Sequence, residues 1–155
     1  MSWLVPLIKT MRPKQWVKNG LLFVAIAFDG QLFHWPALAR TLAAFALFCL
    51  LSSLVYIIND LTDLEADRNH PKKRLRPLPS GQLSTQTARL AAIFLALVVF
   101  GTAFLLCWQF GLVALAYFSL NLAYSRWLKH VPILDVMVLA TFYVLRVGAG
   151  VVVIV

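Results

Sequence analysis

The sequence predicts an all-α protein, a polytopic transmembrane helical bundle with about five spans. Three observations predict it. Hydrophobic residues make up 61% of the 155 residues and charged ones only 13%, with a mean hydropathy of +0.82, outside the usual range of a soluble domain. The apolar residues gather into stretches near the roughly 20 residues that a bilayer core requires. The basic residues fall in alternate loops between those stretches.

Taken in order, the spans lie at about residues 19–33, 39–58, 87–107, 110–124 and 132–155. The first and fourth are short, and the first contains Asp29 and Gly30, which favours a tilted or irregular passage, or one partly outside the hydrocarbon. No secretory signal is expected at residues 1–6, which are too few for an apolar core and precede the basic residues. Cys49 and Cys107 both fall in apolar spans without metal-ligand spacing and read as small packing residues.

Charge sets the orientation. Lys9, Arg12, Lys14 and Lys18 precede the first span, Arg68, Lys72, Lys73, Arg74, Arg76 and Arg89 lie in or beside the second loop, and Arg126 and Lys129 lie in the fourth. With a cytoplasmic N-terminus, twelve of the 14 Lys and Arg lie on the inner side of the cell (inner) membrane, leaving Arg40 outside and Arg146 within the fifth span. The net charge of +8 is therefore what membrane topology requires, and no nucleic-acid partner is expected.

Topology gives no reason for acids, yet "NDLTDLEAD" (59–67) carries four of them within eight residues directly after the second span. If that helix continues, with about 100° and 1.5 Å per residue, Asp60, Asp63 and Asp67 share an arc of about 60°. Asn59 borders the arc and Glu65 points away. A row of carboxylates repels itself unless something positive sits against it. Mg²⁺, which commonly bridges one or two carboxylates to substrate phosphates, makes the row a candidate platform for a metal-bound diphosphate. The following "RNHPKKRLRP" (68–77) supplies five Lys and Arg within nine residues, suited to phosphate oxygens not taken by metal. Alone, that basic run reads more readily as an ordinary cytoplasmic loop than as a substrate site.

"YIINDLTDLEADRNHPKKRLRPLPSG" (56–81) resembles the first aspartate-rich motif, N-D-x-x-D-x-x-x-D, and basic loop of the UbiA superfamily of intramembrane prenyltransferases. "MRPKQWVKN" (11–19) and "YSRWLKHVPILDVMVLATFYVLRVGAG" (124–150) are similar to one branch, the polyprenyl-phosphate phosphoribosyltransferases, typified by the decaprenyl-phosphate enzyme. The resemblance implies a helical membrane enzyme with a cavity open to cytoplasm and lipid. Its donor would be phosphoribosyl pyrophosphate with Mg²⁺ and its acceptor a polyprenyl phosphate. In the wider superfamily a prenyl diphosphate is the donor and an aromatic or other group the acceptor. The same acidic anchor serves both.

On this resemblance Asp60, Asp63 and Asp67 are the catalytic and metal-holding residues, with Asn59 as a hydrogen-bonding neighbour. Lys73, Arg74 and Arg76 are candidates for donor phosphates. Lys14 and Lys18 suit either substrate's phosphate or a plain interfacial anchor. Tyr124, Lys129 and Asp135 form a second polar cluster at a cytoplasmic helix junction. Arg146 lies eleven residues after Asp135, near the same helical face and about 16 Å deeper, where a cation is costly unless it meets water, an acid or a phosphate.

Superfamily members are about twice as long, with nine helices and a second acidic motif in the later half. The chain therefore reads as a single transmembrane domain, residues 1–155, corresponding to the N-terminal part of that fold: a piece of a longer protein, a truncated product, or a half that joins a separate C-terminal half. Two readings of another class stand beside the enzyme, a transporter component and a non-catalytic membrane subunit. Acids clustered at one membrane level weigh against an ion path across it.

Overall fold

The computed structural model describes residues 2–128 and 132–155, so Lys129 lies outside the described residues. It is all-helical, with no strand among them. The order is α1 (Leu4–Met11), a 3₁₀ segment (Pro13–Leu21), α2 (Leu22–Phe28), α3 (Trp35–Thr62), α4 (Leu64–Arg68), a 3₁₀ turn (Lys73–Leu75), α5 (Thr85–Leu106), α6 (Trp108–Arg126) and α7 (Pro132–Ile154).

Among the described residues three helices, α3, α5 and α7, are long and apolar enough to cross a membrane. At 28 residues α3 is about 42 Å long, so it overruns a roughly 30 Å hydrocarbon core and its last turn is free to carry polar groups. Residues 110–124 do form a helix, α6, but polar Gln109, Asn121 and Ser125 keep it below the apolar character of the other three. The first expected span takes the irregular form that Asp29 and Gly30 suggested. It is a 3₁₀ segment followed by the seven-residue α2, and the helix stops at Phe28, where Asp29 and Gly30 (φ 70°) turn the chain.

α5 shows why lipid is the solvent. Ser84 caps it, its Oγ accepting from Thr87 N–H at 3.0 Å. It buries Ala88, Ala92, Leu95, Val99 and Ala103, one stripe rich in small residues that admits α3 closely. Much of its remaining surface, including Leu90, Ile93, Phe94, Leu97 and Leu105, is exposed and apolar. A surface of that kind is stable against acyl chains, not against water.

Two glycines set close approaches. The α5–α6 hairpin turns on the single extended residue Cys107, and a Cβ on Gly111 would fall 2.5 Å from the Phe104 ring. Where α7 crosses α2, a Cβ on Gly150 would fall 2.1 Å from the Leu22 carbonyl oxygen. Between α3, α6 and α7 the core is an aromatic column, with Phe48, Tyr117, Phe142 and Tyr124 in successive contacts of 5.1, 5.4 and 5.9 Å between ring centroids.

Candidate active site

The end of α1 is set by Pro13, since a residue before proline is held out of the right-handed helical region. Arg12 instead adopts the left-handed conformation (φ 53°, ψ 61°), the one non-glycine residue with positive φ among the described residues. Its guanidinium then lies over the Tyr56 ring, 4.6 Å from the centroid, and Nη2 donates to Asp60 Oδ1 at 2.7 Å. Tyr56 and Asp60 are one turn apart on α3, so a single arginine engages both.

Asp60 and Asp67 are both buried, at 3% and 1% exposure, yet each has a cation against it. Arg76 Nη1 donates to Asp67 Oδ2 at 2.8 Å and lies 3.4 Å from Asp60 Oδ1, bridging the two. Lys73 Nζ is 3.5 Å from Asp67 Oδ1. The continuing helix that would have placed Asp60, Asp63 and Asp67 on one face is broken at Asp63, and it is Arg76 that draws Asp60 and Asp67 together. Asp63 marks the break (φ −90°, ψ 9°); it is half-buried and makes no ion pair among the described residues. Glu65 faces away and pairs with Arg68 at 2.7 Å. Beside this cluster a cavity of about 240 Å³ is lined by Lys9, Arg12, Asp60, Lys72 and Arg76.

A second cavity, of about 200 Å³, opens among α3, α6 and α7 and is lined by Lys18, Tyr56, Asn59, Tyr117, Tyr124 and Arg146, among others. Arg146 is 8% exposed and meets no carboxylate among the described residues. Its Nε donates to Asn19 Oδ1 at 3.0 Å, Nη1 to the Phe142 carbonyl at 3.0 Å and Nη2 to Tyr117 Oη at 2.8 Å. Asn19 is itself held by Ser52 on α3. Tyr124 Oη donates to Asp135 Oδ1 at 2.6 Å.

The expected residues therefore divide. Asp60, Asp67, Lys73 and Arg76 meet at the end of α3, whereas Asn59, Lys18, Tyr124 and Arg146 line the second cavity. Tyr56 is the wall between, with Arg12 on its ring and the cavity beside it. Lys14 and Arg74 are exposed and join neither group. Arg12, Asn19 and Tyr117 were not among the expected site residues. A signal existed for some of the second cavity: Ser52, Tyr56 and Asn59 on α3, and Tyr117, Asn121 and Tyr124 on α6, both follow the i, i+4, i+7 spacing of one helical face.

Among the described residues no three His, Cys, Asp or Glu side chains converge into a metal cage. Mg²⁺ does not require one, because it keeps waters and completes its shell with substrate phosphates around one or two carboxylates. Asp60 and Asp67, two buried carboxylates drawn together by one arginine, fit such a partial donor set.

Comparison with known proteins identifies the family. A model of the UbiA prenyltransferase family matches residues 20–155. The protein y4nM of Sinorhizobium fredii is 44% identical over 143 residues, covering 92% of this chain and 28% of that protein. Decaprenyl-phosphate phosphoribosyltransferases of Mycobacterium tuberculosis and Corynebacterium glutamicum are 36% and 37% identical, covering 92% and 93% of this chain and 49% and 45% of theirs. The chain thus spans half or less of the length of these relatives. With its family model matched over most of its length, the chain belongs to the UbiA prenyltransferase family.

Proposed function

We propose that the chain contributes to Mg²⁺-dependent transfer of a phosphoribosyl group from phosphoribosyl pyrophosphate to a polyprenyl phosphate, at the cytoplasmic face of the cell membrane with the N-terminus inside. The observation that carries this reading is the Arg76 bridge between Asp60 and Asp67, flanked by Arg12 and Lys73. Acids for a metal and bases for phosphate oxygens sit there within one cluster. The relatives named decaprenyl-phosphate phosphoribosyltransferase support the choice of substrates.

Asp60, Asp63 and Asp67 would hold the Mg²⁺, which supplies positive charge against the departing diphosphate. Arg12, Lys73 and Arg76 exchange their carboxylate partners for donor phosphate oxygens, a short movement for side chains one-third to two-fifths exposed. In the transfer the anomeric C–O bond to diphosphate breaks as an acceptor phosphate oxygen bonds to the same carbon. That oxygen is already anionic, so the balance needs neither a side-chain nucleophile nor a base. The buried surroundings of Asp60 and Asp67 strengthen each electrostatic contact made there.

The family description favours a second donor, a prenyl diphosphate, on the same anchor. Product formation by the complete catalytic unit separates the two. Phosphoribosyl pyrophosphate with a polyprenyl phosphate is expected to give lipid-linked phosphoribose and diphosphate, and to fail with Asp60→Asn. Turnover only with a prenyl diphosphate overturns the phosphoribosyl reading. Donor binding that ignores Mg²⁺ and Asp60 overturns the anchor itself.

A further inference from the structure

We infer that the cavity between α1 and the basic loop binds an anionic membrane phospholipid, its headgroup phosphate held by Lys9 and Lys72 and its acyl chains laid along the outer face of α1. The inference needs only the membrane setting and holds for either donor. α1 has two faces. Leu7 and Met11 pack against the core and Thr10 is buried. Leu4, Val5 and Ile8, with Trp3 before them, are exposed although apolar. At about 100° per residue Leu4, Ile8 and Val5 share an arc of about 100°, and Lys9 borders it on the Val5 side. A short helix with such a face suits the level at which acyl chains meet headgroups.

The contacts of α1 put it at that level. The Met11 carbonyl accepts from Ser53 Oγ at 3.2 Å, and the next residue, Arg12, reaches Tyr56 and Asp60. The end of α1 is thus fixed beside the last turns of α3, the helix long enough to overrun the hydrocarbon core.

The cavity supplies the charge. Lys9, Arg12, Lys72 and Arg76 line it against a single carboxylate, Asp60. Arg12 and Arg76 are already engaged by Asp60 and Asp67, whereas Lys9 and Lys72 are exposed and make no ion pair among the described residues. Two uncommitted cations on one concave surface take an anion, and basic groups at a membrane surface meet anionic headgroups. Topology accounts for basic residues at this end of α3 but not for their gathering around one cavity. The apolar flank decides the class of ligand. A water-soluble phosphate or diphosphate would leave Val5 and Ile8 uncovered, whereas a phospholipid engages the lysines and the apolar arc together. Leu75, 69% exposed and also lining the cavity, adds apolar surface on the opposite side.

The test is native mass spectrometry of the detergent-solubilised protein titrated with phosphatidylglycerol or with phosphatidylcholine, which carries the same phosphodiester but no net charge. Inorganic phosphate and diphosphate are the soluble comparators. Phosphatidylglycerol should bind at least about fivefold more tightly than phosphatidylcholine, and Lys9→Gln and Lys72→Gln should each weaken it about fivefold, the double variant about twentyfold. Val5→Gln/Ile8→Gln should weaken it about threefold. Arg89→Gln, which removes an exposed cation outside the cavity, should change it less than about twofold. Both lysines are exposed, so their loss should leave the fold intact, which the unfolding temperature checks. Equal binding of the two lipids, phosphatidylglycerol binding unchanged in the double lysine variant, or an Arg89→Gln effect as large as theirs overturns the site. Inorganic phosphate or diphosphate bound as tightly as phosphatidylglycerol, with the same dependence on Lys9 and Lys72, overturns the lipid assignment in favour of a soluble anion.

Discussion

Arg12 and Asp60 are 48 residues apart in sequence and 2.7 Å apart in space. That contact ties the N-terminal segment to the end of α3 and requires Arg12 to hold a left-handed backbone, at a cost of about 1 kcal/mol for a non-glycine residue. A buried carboxylate and an aromatic face, both on α3, offset that cost.

Arg12→Gln should destabilise the protein by about 2 kcal/mol, between the values for exposed and buried pairs, since Arg12 is one-third exposed and Arg76 remains nearby. Arg12→Lys should recover part of the loss, because it restores charge but not the planar group over Tyr56. The double variant with Asp60→Asn should lose less than the two single changes added together, with a coupling of about 1–2 kcal/mol in detergent unfolding. Simple additivity would show that the pair contributes nothing.

Arg76 and Arg74 lie two residues apart in the same basic loop and should behave differently. Arg76 bridges two buried carboxylates, whereas Arg74 is exposed without an ion pair among the described residues. Arg76→Gln should weaken Mg²⁺-dependent donor binding tenfold or more, about 1.4 kcal/mol, and Arg74→Gln less than twofold. Chelation of divalent metal should abolish the binding measured for the wild type. Equal effects of the two substitutions would mean that the loop acts only through its total charge.

How far the site was legible follows from these residues. The 3.6-residue period grouped Asp60 with Asp67 and turned Glu65 away; Glu65 does pair elsewhere, with Arg68, whereas Asp60 and Asp67 are joined across a helix break by Arg76 and not by helical period. The same period gave no warning of the break at Asp63, where an irregular backbone separates the third aspartate from the ion pairs. Arg12 and Asn19 were missed because their partners, Asp60 and Arg146, are 48 and 127 residues away. Pairing across such distances is a property of packing. The irregularity of the first span was legible in Asp29 and Gly30, but its 3₁₀ geometry and its packing against α7 were not, since hydropathy registers only apolar content.

Tyr124 and Asp135 offer a smaller test of how α6 is held against α7. Their hydrogen bond has a carboxylate acceptor, for which a contribution of about 1.5–3 kcal/mol is typical. Tyr124→Phe should lower stability within that range. Asp135→Asn, which keeps an oxygen acceptor, should lose less. A Tyr124→Phe protein as stable as the wild type would show that water replaces the contact without loss.

The crossing of α7 over α2 gives a paired prediction from two glycines on one helix. A Cβ at position 150 would lie 2.1 Å from the Leu22 carbonyl oxygen and 2.9 Å from its carbon, both backbone atoms that no side-chain rotation can clear. Gly150→Ala must therefore separate the helices, with a loss of about 3 kcal/mol or more. At Gly148 nothing lies within 4 Å of an added Cβ, so Gly148→Ala should be neutral or gain up to about 1 kcal/mol from helix propensity. The consequence extends to the cavity, because Arg146 is one turn from Gly150 and donates to Asn19, one turn before Leu22. Separating the helices at one turn lengthens the Arg146–Asn19 contact at the next. Gly150→Ala should then disturb the Arg146 cavity as well as lower stability, whereas Gly148→Ala should leave the Arg146–Asn19 contact unaltered. A Gly150→Ala protein with wild-type unfolding temperature would show that α2 and α7 do not pack at this distance.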